Sequence, residues 1–349
     1  MSKVPPTDPF SHMLNGNLQQ RIVKRDIDGE VPTERAVTDL ASEKAHAIAT
    51  HGEVVIQIQH SDTFGMDKEK NDWRSRAARM LYIESRLVRE GLSESLAMFF
   101  FMSLLLGCAA TARFTGNQND PMLAAFYHGF SIIFAIYVAG GISGGLLNPA
   151  ITFTIAFLGR LSWLRCLIYM SAQYFGAFIA SAVVYLIYYD SLQNFSGANK
   201  VDETGANGTA GIWSTFPRPY LSLRGAIFNQ IFCTMLLTIG FLSICDFRNS
   251  RPDKGMFPFA VGMLIMTVFL AFSYSAGAAM NPARDISPRL WTLIVGYGDE
   301  VFSYNNYKWF WIPWLFPYVG ALLGGVIYEI FIGIHWPKDY ANKHVTNRT

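Results

Sequence analysis

An asparagine followed by proline makes a compact helix start. The asparagine oxygen caps the first free backbone N–H groups, and proline takes the first helical position without losing a hydrogen bond. Capping through the oxygen leaves the amide NH2 as a donor for something else. The sequence holds two such triplets, Asn148-Pro149-Ala150 and Asn281-Pro282-Ala283. If both helix starts met in one cavity, two amide donors and two positive helix ends would converge on one spot. That constellation offers hydrogen bonds to the oxygen of a neutral solute and a barrier to cations and protons. A single triplet would read as an incidental turn; two at matching places of a repeat do not. Arg284 follows the second triplet directly.

The elements that would position these residues come from composition and repetition. Of 349 residues, 51% are hydrophobic and only 15% charged, against roughly 25% in soluble domains. Residues 1–90 hold 27 of the 54 charged side chains, so the tail is about 30% charged and the remainder about 10%. The remainder contains six apolar stretches, near 91–112, 122–142, 164–188, 224–245, 257–276 and 308–334. Each can cross a bilayer as a helix, which takes about 20 residues. Glu94 and Glu329 are the notable charges within them.

The segment Gly144-Gly145-Leu146-Leu147-Asn148-Pro149-Ala150 recurs as Gly277-Ala278-Ala279-Met280-Asn281-Pro282-Ala283. Likewise Tyr174-Phe175-Gly176-Ala177 recurs as Tyr318-Val319-Gly320-Ala321. Each half therefore reads as two spans, a triplet and a third span. Three spans is odd, so the second copy must enter the membrane upside down. The short apolar stretches after the triplets, 151–158 and 286–295, cannot span and are predicted as half-helices dipping in from opposite faces. The expected fold class is an all-α membrane protein with six transmembrane helices and two re-entrant half-helices.

Basic residues in short flanks set orientation. Arg74, Arg76, Arg79, Arg86 and Arg89 precede the first span; Arg160 and Arg165 lie between spans two and three; Arg248, Arg251 and Lys254 lie between four and five; Lys338 and Lys343 follow the sixth. With six spans all four clusters share one side, so both termini are expected in the cytoplasm. The connection 190–223 is then extracellular and carries two glycosylation-type triplets, at Asn194 and Asn207. The expected organisation is a largely disordered tail over 1–87, a channel domain over 88–336 and a short tail over 337–349. In the first tail, Val54–Ile58 alternates like a strand but has no evident partner. Cys108, Cys166, Cys233 and Cys245 all fall in apolar stretches, spaced for packing rather than for metal or disulfides. A net charge of +2 implies no nucleic-acid partner, and no nucleotide loop or catalytic constellation is present. No enzyme activity, cofactor or metal is expected.

Over roughly residues 88–336 the sequence resembles the aquaporin superfamily, the major intrinsic proteins. The paired triplets and Arg284 carry that resemblance. Ile136-Tyr137-Val138-Ala139-Gly140-Gly141, the long third loop, Asp285 after the arginine, and Pro288-Arg289 look closest to the glycerol-conducting branch. The resemblance implies six tilted helices with two half-helices per subunit, and a homotetramer with one pore per subunit. It also implies a selectivity-filter role for Arg284 and a loop-bracing role for Glu94, with Gln230 at the equivalent place in the second half, where many members carry glutamate.

The resemblance places the other filter positions at His128, Phe269 and Ala278. Glycerol channels usually carry an aromatic, a small residue and often another aromatic there, so this filter departs from that pattern. Two rings, a small residue and an arginine resemble a water-selective filter in volume, with the ring identities exchanged. Trp314 also differs from the branch. His128 stays open between a filter member that could titrate near neutral pH, a bond to a neighbouring helix, and a solvated place at the mouth. The expected function is a passive channel for water and small uncharged solutes such as glycerol, and in principle urea, probed against two alternatives: a water-selective channel, and an ion-coupled secondary transporter. A plasma-membrane, multi-pass location goes with this reading.

Overall fold

The computed structural model describes residues 45–50, 53–58, 73–196 and 208–337. The described residues fall into two compact units, one within 84–337 and the other within 45–83. In the second unit, strand β1 (Ala45–Thr50) pairs antiparallel with β2 (Glu53–Ile58), and helix α1 spans Trp73–Leu81. The alternating Val54–Ile58 run therefore does have a strand partner, the segment just before it. Sequence periodicity missed β1 because Ala45–Thr50 is alanine-rich and lacks the β-branched alternation that marks β2.

The larger unit is helical. Its spans are α2 (Arg86–Phe114), α3 (Pro121–Ala139), α5 (Trp163–Ile187), α8 (Leu223–Cys245), α9 (Phe257–Ala276) and α12 (Trp311–Phe331). All six are long and apolar enough to cross a membrane. Two half-helices, α4 (Pro149–Phe157) and α10 (Pro282–Thr292), follow the Asn-Pro-Ala triplets. Short helices α6 (Tyr189–Ser196), α7 (Ala210–Trp213) and α11 (Glu300–Tyr307) lie in the connections. The first span begins at Arg86, earlier than its apolar stretch, because Glu90 is buried there and pairs with Arg86 and Arg165. The charges belong to the helix rather than to a flank.

The helix contacts obey the inverted repeat. Helix α2 packs on α5 as α8 packs on α12, α4 packs on α12 as α10 packs on α5, and α3 crosses α9. Equivalent residues meet across the pseudo-two-fold axis. The Tyr174 and Tyr318 hydroxyls share a hydrogen bond of 2.8 Å. Gly129 and Gly262 face each other so closely that a Cβ on either would lie within 3 Å of the other's carbonyl oxygen. Gly176 and Gly320 do the same work within each half, against the carbonyls of Ser95 and Ile231. In lipid, where apolar burial does not drive helices together, such small residues permit the backbone approach that packing needs.

One end of this unit collects the basic clusters. Arg165 bonds Glu90 at 2.6 Å, Arg160 pairs with Glu329, and Arg248 bonds Asp246 at 2.8 Å while reaching the carbonyl of Gly333 at 3.3 Å. Starts of α2 and α5 and ends of α8 and α12 are thus held together by charge at a single face.

Candidate functional site: the pore

The two half-helices begin where the local sequence dictates. Asn148 and Asn281 have extended backbone and accept from the N–H groups of Ala150 and Ala283, at 3.0 and 3.1 Å, with proline at the first helical position. Their side-chain amides then cross. Asn148 Nδ2 donates to the Met280 carbonyl at 2.9 Å, and Asn281 Nδ2 donates to the Leu147 carbonyl at 2.8 Å. The reciprocal pair locks the two half-helix starts to each other. It also corrects the sequence expectation that both amides are wholly free, because one of the two hydrogens on each is already used. Leu147 and Met280, which present those carbonyls, sit at φ 51° each, a left-handed conformation that non-glycine residues avoid. The local strain turns the carbonyl toward the opposite asparagine.

Each loop is braced from behind, by different chemistry in each half. Glu94 is fully buried and accepts four hydrogen bonds, from Ser143 Oγ at 2.6 Å, Leu146 N at 3.0 Å, Leu147 N at 2.9 Å and Gln173 Nε2 at 2.8 Å. Gln230 accepts from Ala279 N at 3.1 Å and donates to the Ala276 carbonyl at 3.0 Å. The first loop thus offers only donors, while the second offers one donor and one acceptor. An amide suits the second loop as a carboxylate suits the first.

Three of the four expected filter residues show mutual contact or electrostatic reach. His128 and Phe269 are both buried and stack at 4.0 Å between ring centroids, 24° from coplanar. His128 Nδ1 lies 2.7 Å from the Ala124 carbonyl, while Nε2 is buried without a hydrogen-bond partner. Arg284 is buried as well; its Nε and Nη1 make no hydrogen bond, and Nη1 lies 3.9 Å from Asp285 Oδ2 in a long ion pair. The guanidinium lies within electrostatic reach of His128 and Tyr127. Buried polar groups that make no hydrogen bond within the protein are rare. Ala278, buried at φ 40°, sits where the first half has Gly145 at φ 66°. Trp314 Nε1 donates to the Tyr174 hydroxyl, at 3.3 Å.

Asp285 does different work from its neighbour Arg284. Its Oδ2 accepts from Thr215 N at 2.7 Å and Thr215 Oγ1 at 2.6 Å, and its Oδ1 from Arg289 Nε and a terminal nitrogen at 3.2 and 3.0 Å. Arg289, fully buried, reaches on to the carbonyls of Val301 at 2.6 Å and Thr215 at 2.7 Å and lies over the Phe216 ring. Trp309 also donates to the Thr215 carbonyl, at 2.6 Å. The long third connection is therefore pinned to α10, one residue beyond Arg284. Sequence reading took Asp285 and Arg289 only as branch features; their i, i+4 spacing on a half-helix was the available sign of a pair. Glu329, buried in part, is held by Arg160, and Asn194 is exposed on α6. Asn207 lies outside the described residues.

Comparison with known proteins agrees with this geometry. The sequence profile of the major intrinsic protein family matches residues 82–328. Aquaporin-1 of Milnesium tardigradum is 67% identical over 296 residues, covering 84% of this chain and 88% of that one. Aquaporin-9 of Homo sapiens is 43% identical over 260 residues, covering 74% and 87%. The X-ray structure of the aquaglyceroporin from Plasmodium falciparum superposes with a TM-score of 0.64 at 28% identity, over 70% of this chain and 97% of that one. The chain belongs to the major intrinsic protein family. It is a multi-pass membrane protein and a passive channel of the aquaporin type, a family that transports water and small solutes, and not an enzyme. The ion-coupled transporter reading falls with that assignment, and its carboxylates are occupied: Glu94 by loop bonds and Glu329 by Arg160.

Proposed function

We propose that this channel conducts glycerol and other small uncharged polyols as well as water. The observation that carries the reading is the stacking of His128 on Phe269. Stacking merges two rings into one flat apolar wall instead of two obstacles. Buried Arg284 supplies N–H donors, its Nε and Nη1 making no hydrogen bond within the protein, and Ala278 keeps a further position small. A wall for C–H groups combined with donors for hydroxyls fits a polyol. The water-selective alternative draws on the same two rings, which together bring bulk to the filter. Stopped-flow measurements on proteoliposomes separate the two: glycerol flux well above that of empty vesicles is expected, and water flux without it overturns the proposal.

The same reading assigns Asn148 and Asn281 the passing hydrogen bonds at the midplane, through the hydrogen each keeps, and Arg284, His128, Phe269 and Ala278 the filter. A homotetramer in the plasma membrane with cytoplasmic termini completes it, supported by the basic clusters gathered at one face of the helical unit. The tail is assigned to 1–87, the channel to 88–336 and the second tail to 337–349. Asn194 and Asn207 are then extracellular and open to glycosylation.

A further inference from the structure

Helix α1, Trp73–Leu81, precedes the first span. At 100° per residue, Trp73, Ala77, Met80 and Leu81 fall on one face within an arc of about 100°. Arg74 and Arg76 flank that face on either side, Arg79 follows farther round, and the helix contains no acidic residue. Trp73, Met80 and Leu81 are 71%, 79% and 76% exposed, and Tyr82 just beyond is 66% exposed. Large apolar side chains in water beside three arginines are a poor arrangement for a soluble helix. A helix this short is also marginal in water by itself.

Chain connectivity supplies the solvent that suits it. Span α2 starts at Arg86, and a chain extends at most about 3.6 Å per residue, so Leu81 stays within about 18 Å of the start of the span. That tether keeps α1 within reach of the membrane interface, whose headgroup layer is about 5–8 Å deep on each side. We propose that α1 lies in the plane of the membrane interface, with Trp73, Met80 and Leu81 in the acyl boundary and Arg74, Arg76 and Arg79 on anionic phospholipid headgroups. Anionic rather than zwitterionic lipid follows from the charge of +3 on the nine residues of the helix. The tryptophan suits the site too, since indole rings favour the interface. Each arginine near such a surface contributes about five-fold to the bound fraction and three about a hundred-fold.

The test is hydrogen–deuterium exchange across 73–81 in the full-length protein, reconstituted in phosphatidylcholine vesicles with or without phosphatidylserine. Slower exchange is expected with phosphatidylserine, lost in raised salt and in the triple variant R74Q/R76Q/R79Q, and kept in R74K/R76K/R79K. Osmotic water flux from the same vesicles, unchanged in both variants, shows that the channel is intact. Equal exchange in the two lipid compositions overturns the proposal. So does protection that survives in detergent without phospholipid, which would place another segment or a second copy of the chain on this face, and so does protection indifferent to R74Q/R76Q/R79Q.

Discussion

Replacing Glu94 by glutamine tests whether the first loop requires a carboxylate. All four groups that Glu94 meets are N–H or O–H donors. A glutamine must therefore set its NH2 against at least one backbone N–H. The less damaging orientation puts it at the Oε1 site, where the Ser143 hydroxyl can turn round and accept, but the Leu146 N–H is then left alone. A lost hydrogen bond to a charged group costs about 1.5–3 kcal/mol, and an orphaned buried N–H about 1–3. Relief from burying a charge offsets part of this. A net loss of about 2 kcal/mol is expected, which is about 30-fold in the folded-to-unfolded ratio. In a unit of this size it lowers the midpoint of thermal unfolding by about 4–8 °C. Unfolding of the detergent-solubilised protein reads the stability, and proteoliposome water flux reads the loop. Gln230→Glu is the mirror experiment, since it sets a carboxylate oxygen against the Ala276 carbonyl. It too should destabilise. An unchanged midpoint and flux for Glu94→Gln, or a more stable Gln230→Glu, would refute the reasoning.

Four further outcomes follow from the geometry. Phe269→Gly removes one ring from the stacked pair and should raise glycerol flux relative to water in proteoliposomes; unchanged glycerol flux rejects its filter role. Gly320→Ala drives a methyl into the Ile231 carbonyl and should cost about 1–3 kcal/mol in thermal unfolding. Gly107→Ala on α2, where the added carbon meets open space, should instead stabilise by about 0.5–1 kcal/mol. At the basic face, burial pushes the Asp246 carboxyl up, but the hydrogen bonds and charge of Arg248 outweigh it and hold the group below its usual value. A depressed carboxylate contributes stability above its unfolded value near pH 4, lost as pH falls through the folded one. Asp246→Asn should abolish that acid limb in a pH series of unfolding midpoints.

What could be read from sequence was local or repeated. The Asn-Pro starts of α4 and α10 were legible because a helix cap needs only neighbouring residues. The six spans followed from apolar length, and the inversion from an odd number of spans per repeat. Boundaries failed where charge lay inside an element, as at Glu90 in α2, since a buried ion pair looks like a solvated flank until its partner on α5 is seen.

Tertiary structure alone decided the pairings between distant residues. No spacing shows that the Asn148 and Asn281 amides each give one hydrogen to the loop of the other half, because that depends on two strained carbonyls meeting across the axis. Nor does it show that His128 and Phe269 stack, or that Asp285 and Arg289 clamp the connection at Thr215 instead of facing the solute. Sequence by itself determined that two helix ends would be aimed at one place in a membrane. The reciprocal asparagine–carbonyl bonds between the two loops set how closely they meet, and so which polar hydrogens are left for whatever passes between them.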